Sequence, residues 1–149
     1  MQTGLTSLEA AFDMILIGQY DSSFVRRCAI AMRLCGIPFD HKPWSTFGDA
    51  DQIRQYNPLT RVPTLVLDDG SVLNDSYSII DYIDTITPED RLLMPRAQPQ
   101  RHQVMSVMSL ATGLADKVVA LFYELRLHNA PSDAWMVRCR AQIGHTLAA

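Results

Sequence analysis

The chain has 149 residues, 48% apolar and 19% charged, with a formal net charge of −3. These are globular values, which exclude wholesale disorder, collagen-like repeats and coiled coil, and a chain of this length can bury roughly 70% of the surface it exposes when unfolded. The basic residues are scattered, which excludes a nucleic-acid footprint, and no uninterrupted apolar run nears the roughly 18 residues of a membrane span.

Three cysteines, Cys28, Cys35 and Cys139, are too sparse and odd in number for a disulfide scaffold. They fit a reducing compartment, and the N-terminal residues lack the basic start and apolar core of a signal peptide, so a cytoplasmic location is expected. Residues 1–13 read as an N-terminal extension of no evident role, with Met14 a plausible native start.

Met14 to Gly18 is a short apolar run closed by glycine and reads as a buried strand. Ser22 and Ser23 are natural helix caps, and Phe24, Val25, Cys28, Ala29, Met32 and Cys35 follow at helical spacing up to Gly36. Arg26 and Arg27 fall away from that stripe and read as a solvated helix face or a dimer contact. Pro38 to Lys42 alternates weakly as a second strand, and Asp49 to Tyr56 as a short polar helix. Thr64 to Asp68 is a strand, Asp69-Gly70 a hairpin turn, and Ser71 to Leu73 its partner. Asn74 and Asp75 then cap a helix with Ile79, Ile80, Ile83 and Ile86 on its apolar face.

Residues 87–99 hold Pro88, Pro95 and Pro99 and read as a linker. From about Gln100 to His128 one long amphipathic helix is expected, with Val104, Val107, Met108, Ala111, Leu114, Ala115, Val118, Leu121, Phe122 and Leu125 on its stripe. Ala130-Pro131-Ser132 breaks it, and a further helix runs to the chain end. Two helices leave much apolar surface uncovered, so the sequence reads as a truncated chain or gene fragment.

Three local features could carry chemistry together. The turn into the first helix, Tyr20 to Arg27, ends in a helix N-terminus, whose unpaired N–H groups favour an anion such as a thiolate, and a serine hydroxyl there can donate to it. Taken alone, the serines are caps. Arg61-Val62-Pro63-Thr64-Leu65 enters a strand; a cis bond after Val62 would present its backbone to an extended peptide, while base rates favour trans. Asn74-Asp75-Ser76-Tyr77-Ser78 opens a helix that could hold a carboxylate, or again only cap itself.

In order and spacing these segments resemble the glutathione transferase family, in its bacterial, serine-type, tau- and zeta-like members. Asn57-Pro58, Arg61-Val62-Pro63-Thr64-Leu65 and Leu73-Asn74-Asp75-Ser76 match its N-P…V-P-x-L…E-S-x-x-I pattern. Ser22-Ser23-Phe24-Val25-Arg26-Arg27 resembles its S-P-F/Y-V-R-R segment, and Ala111 to Asp116 a common bacterial stretch of its long helix. The resemblance implies a thioredoxin-like α/β domain (βαβαββα) over 14–86, a linker over 87–99, and an incomplete all-α domain over 100–149. It implies that Ser22, or Ser23 in reserve, hydrogen-bonds the glutathione thiolate, that Val62 pairs with the cysteinyl unit with Pro63 in cis, and that Asp75 and Ser76 hold the γ-glutamyl end. Asp75 stands where the family has glutamate, one methylene longer. Lys42, His41 and Trp44 remain open as the group meeting the glycine end, with His41 by itself reading as a surface strand residue.

The implied chemistry is activation plus proximity. A free thiol titrates near about 8.5, and lowering that by about two units takes about 2.7 kcal/mol of differential stabilisation, which a hydroxyl donor and a helix dipole can supply. The thiolate then attacks a small electrophilic or hydrophobic substrate, the role of a detoxification enzyme. Glutathione is co-substrate, with no permanently bound cofactor, and a homodimer is implied. A glutaredoxin-like activity is disfavoured because Ser22 and Val25 occupy the C-x-x-C positions and Cys28 falls on the apolar face. A non-catalytic stress-response scaffold on the same fold is the alternative. His41, His102, His128 and His145 show no metal-ligand spacing, so no metal site is expected.

Overall fold

The computed structural model describes residues 14–149; the expected extension over 1–13 lies outside them. The elements run β1 (Ile15–Ile17), α1 (Ser23–Leu34), β2 (Asp40–Lys42), α2 (Ala50–Arg54), β3 (Thr64–Val66), β4 (Val72–Asn74), α3 (Ser76–Ile86), α4 (Gln100–Leu127) and α5 (Asp133–Leu147), with a 3-10 turn at Glu89–Arg91. They fall into two compact units, one ending at Leu93 and the other starting at Met94.

In the first unit the four strands form one sheet in the order β2-β1-β3-β4. β2 is parallel to β1, while β3 and β4 run antiparallel to their neighbours. Side chains alternate across this sheet. Leu16 and Leu65 face a core made with Val25, Cys28 and Met32 of α1 and Ile79 and Ile83 of α3. Ile17 and Val66 face the other way, onto Ile53 of α2, with Trp44 and Tyr56 at the edge of that cluster. Burial on both faces is why β1 and β3 read as unbroken apolar runs.

Two local expectations need correcting. Asn74 is the last residue of β4, and Asp75 alone caps α3, accepting from the Tyr77 amide at 2.8 Å. Ile86 lies on the expected stripe but is exposed; the buried Thr87 follows it, its hydroxyl donating to the Ile83 carbonyl at 2.6 Å.

In the second unit α4 and α5 pack on each other. The expected stripe on α4 is not a buried one: Thr112 is its one buried residue, and Val107, Phe122 and Leu125 are exposed. A pair of helices covers one side of each, and many of the apolar side chains of this unit are exposed. By length and composition α4 suffices to cross a membrane, with a mean hydropathy of 1.5 over 18 residues. Small polar residues scattered among Ala, Val, Leu and Met interrupt every run in the sequence yet leave the window average high. The same composition serves a helix that faces other protein, as α4 faces α5.

Candidate functional site at the end of the sheet

The register explains how distant residues meet. Ile17 pairs with Lys42 on one side and Thr64 on the other, and Thr64 pairs with Asn74. Lys42, Ile17, Thr64 and Asn74 therefore form one end row across the sheet. Just beyond that row lie the loop from Gly18 to Ser22, the Val62-Pro63 segment and the Asp75-Ser76 start of α3. Six of the residues singled out from sequence, Ser22, Ser23, Val62, Pro63, Asp75 and Ser76, thus come to the same end of the unit.

Gly18 makes the closeness physical. Its φ is +129°, and a Cβ placed there would stand 2.6 Å from Val25 Cγ2 and 2.8 Å from Val62 Cβ. Only a residue without a side chain lets the loop, α1 and the Val62 segment approach this far.

Ser22 is the N-cap of α1. Its Oγ accepts from the Val25 amide at 3.4 Å, a long bond. Accepting uses a lone pair and leaves the hydroxyl hydrogen to donate, so capping and holding an anion are compatible. Ser23 is the first helical residue. The first turn of α1 holds no acidic side chain, which leaves the positive end of its dipole uncompensated.

The Val62-Pro63 peptide is cis. The β3 ladder begins at Thr64, and among the described residues the Val62 amide and carbonyl have no hydrogen-bond partner. Buried Asn57 holds the segment. Its Nδ2 donates to the Arg61 carbonyl at 2.9 Å and to Thr64 Oγ1 at 3.1 Å, while its Oδ1 accepts from the Leu59 amide at 3.0 Å. The Thr64 hydroxyl in turn donates to the Arg61 carbonyl at 3.0 Å.

At the start of α3, Asp75 has φ +74° and ψ 139°, a conformation that a residue with a Cβ adopts at a cost of about 1–3 kcal/mol. It turns the chain so that buried Ser76 opens the helix at the sheet end. Sequence reasoning missed the partner of Ser76. Arg27 is not on a purely solvated face: its Nη1 donates to Ser76 Oγ at 3.3 Å, and its guanidinium lies 5.0 Å from the centre of the Tyr77 ring. Helical periodicity takes Arg27 off the core face of α1 but does not encode that α3 meets it there. Arg26 is also engaged, donating to the Tyr20 carbonyl at 3.0 Å.

The three candidates for the glycine end separate. Lys42 Nζ is ion-paired with Asp40 Oδ2 at 2.6 Å, which with the bonded Lys42 ammonium as the main cause holds the Asp40 carboxyl below its ordinary range. Trp44 packs near Tyr56, ring centres 6.1 Å apart. His41 is half-buried, not a plain surface residue, and its Nε2 lies 2.7 Å from the Gly18 carbonyl. Cys28 is fully buried beside the site, and desolvation pushes its thiol up to about 12, with Arg27 pulling the other way. It is a core residue and supplies no reactive thiolate.

The first unit, a mixed four-stranded sheet with α1 and α3 on one face and α2 on the other, is a thioredoxin-like domain, and the helices after it make the second part of a two-part fold. Residues 16–91 match the family model "Glutathione S-transferase, N-terminal domain", half of the chain. The chain belongs to the glutathione S-transferase family. It is 30% identical over 135 residues to the uncharacterized GST-like protein YibF of Escherichia coli, covering 90% of this chain and 66% of that protein. Glutathione S-transferase Z1 of Arabidopsis thaliana is 33% identical over 128 residues, 81% of this chain and 57% of the relative. Among solved structures, a glutathione transferase family member from Pseudomonas fluorescens Pf-5 with bound glutathione superposes with a TM-score of 0.80 at 29% identity, over 91% of this chain and 68% of that one. A Methylobacterium radiotolerans glutathione S-transferase in complex with glutathione sulfonate gives 0.84 at 26% identity, over 91% of this chain and 64% of the other. The chain thus spans less than two thirds of the length of these curated relatives.

Proposed function

We propose that this chain binds glutathione at the end of the sheet and ionises its thiol for attack on a small electrophilic or hydrophobic substrate. The observation that carries the reading is the in-register end row, with the α1 N-terminus, the unpaired Val62 backbone and the α3 N-terminus just beyond it. Solved relatives that hold glutathione and glutathione sulfonate support the same ligand.

The roles follow from the groups. The extended cysteinyl unit pairs with the Val62 amide and carbonyl as an added strand. The γ-glutamyl carboxylate meets Ser76 and the Arg27 guanidinium; Asp75, one oxygen of which already caps Tyr77, takes the ammonium. The sulfur then faces Ser22, or Ser23 beside it, whose hydroxyl donates to the thiolate at the positive end of α1. Lys42 and Trp44 remain candidates for the glycine carboxylate, Lys42 by swinging from its exposed pairing with Asp40. Glutathione is consumed as co-substrate. The chain works as a homodimer in the cytoplasm.

Ser22→Ala is expected to lower turnover on an electrophile at least about tenfold, the order of one donor to a held anion, while immobilised glutathione still retains the protein. Full turnover in Ser22→Ala would remove Ser22 from the role. Retention without any turnover in the unaltered chain would leave the non-catalytic scaffold.

A further inference from the structure

We propose that His41 and Tyr20 form a clamp that sets the position of the Ser22 hydroxyl, which makes His41 a positioning residue for thiol ionisation. This rests on the reading of Ser22 above.

The loop from Gly18 to Ser22 has little apolar burial to hold it, since Gln19, Tyr20 and Asp21 are exposed. What fixes it is polar and comes largely from β2. Gly18 donates its amide to the Lys42 carbonyl at 2.9 Å. Its own carbonyl faces His41 Nε2 at 2.7 Å, and a carbonyl only accepts, so Nε2 carries the hydrogen. The Tyr20 ring lies flat on the imidazole, centres 4.0 Å apart and planes within 9°. Past Tyr20, the Ser22 amide donates to the Gln19 carbonyl at 3.3 Å, closing the turn. One imidazole thus grips the loop at two points, at its first residue through the carbonyl and in its middle through the ring.

The grip is long-range in sequence and short-range in space. Twenty-three residues separate His41 from Gly18, yet the parallel register sets it beside Leu16, two residues before the loop begins. Loss of the imidazole leaves a part-buried carbonyl without its donor and Tyr20 without its platform. The α1 end holds the Ser22 backbone, whose carbonyl accepts from the Arg26 amide at 3.0 Å, and Arg26 Nη1 reaches the Tyr20 carbonyl at 3.0 Å. The Ser22 hydroxyl, however, is held only by the 3.4 Å bond from the Val25 amide, so its aim depends on how the loop before it is seated. A displacement near 1 Å at a reacting group can cost up to about 100-fold in rate.

The test uses the whole chain and glutathione alone, following the ultraviolet absorbance of bound thiolate against pH, with turnover on an aryl halide as a second readout. His41→Leu is expected to move the ionisation of bound glutathione to higher pH and to lower kcat about tenfold, while its Kd for glutathione changes less than about twofold. His41→Gln, which keeps a donor for the Gly18 carbonyl, restores most of the loss. Tyr20→Ala, an exposed substitution with little to lose in folding, shifts the ionisation in the same direction and carries the prediction should His41→Leu not fold. Added to Ser22→Ala, His41→Leu produces no further loss. Unchanged thiol ionisation in both His41→Leu and Tyr20→Ala, with Ser22→Ala still raising it, overturns the clamp alone. A weakened Kd with unchanged ionisation also overturns it, making His41 a ligand contact. If Ser22→Ala itself leaves ionisation unchanged, the reading of Ser22 falls and the clamp falls with it.

Discussion

Gly18 shows how much one position can decide. It sits at φ +129° with no room for a methyl group between Val25 and Val62. Gly18→Ala is expected to destabilise the fold by about 1–3 kcal/mol through overpacking, with backbone strain in addition, and urea unfolding measures it. Cys28 makes a prediction of a different kind. Its thiol ionises near 9.0 when exposed and near 12 in the fold. As pH rises through that interval the unfolded chain gives up the proton and the folded chain keeps it, so stability falls with alkalinity. Urea midpoints measured across the alkaline range should decline for the natural chain, and Cys28→Ala should flatten that part of the decline. A slope equal in both would place the titration elsewhere. Thiol reagents should likewise leave Cys28 unmodified until the chain unfolds.

At the scale of elements, the turn between α2 and β3 depends on one buried amide. Asn57 satisfies the Arg61 carbonyl and the Leu59 amide around a bend that no secondary structure supports. Asn57→Leu leaves the Leu59 amide without its partner and the Arg61 carbonyl with the Thr64 hydroxyl alone, and is expected to cost about 1–3 kcal/mol, with thermal unfolding as the measure. Glutathione retention should weaken too, because the same amide holds the segment that presents Val62. Arg27 joins α1 to α3, and Arg27→Met should reduce glutathione affinity about tenfold, as loss of a charged donor does, with a smaller effect on stability; calorimetric titration separates the two. Arg27→Lys should recover little, because an ammonium lacks the planar fork.

These elements also show what was legible in the sequence. The strand-turn-helix opening, the caps at Ser22 and Asp75 and the hairpin at Asp69-Gly70 rest on neighbours a few residues apart, and local pattern carries them. The contacts of Arg27 with Ser76 and of His41 with Gly18 span 49 and 23 residues. They follow from strand register and helix placement, which a hydrophobic stripe does not encode. Trp44 was legible only as an aromatic near the site; its place beside Tyr56 follows from where α2 lands. The stripe on α4 was legible as apolar, but periodicity does not tell whether a partner covers it.

For the molecule as a whole, the exposed apolar side chains of α4 and α5 are the dominant feature of the second unit. Val107, Phe122, Leu125, Val137 and Leu147 are all exposed on two helices that pack on each other, and exposed apolar side chains in such number call for a partner surface. The chain of 16.7 kDa is expected to sediment at twice that mass, and a lone 16.7 kDa species at micromolar concentration would overturn the dimer.

The antiparallel pairing of β3 and β4 has a practical corollary. Their connection at Asp68, Asp69 and Gly70 points away from the end row, is exposed, and has open space around Gly70. Lengthening that connection by a few flexible residues adds little closure entropy, about 0.6 kcal/mol per doubling. It is therefore the place to install a fluorophore or an affinity handle, whereas a single inserted residue between Val62 and Thr64 would break the alignment that the rest of the fold maintains.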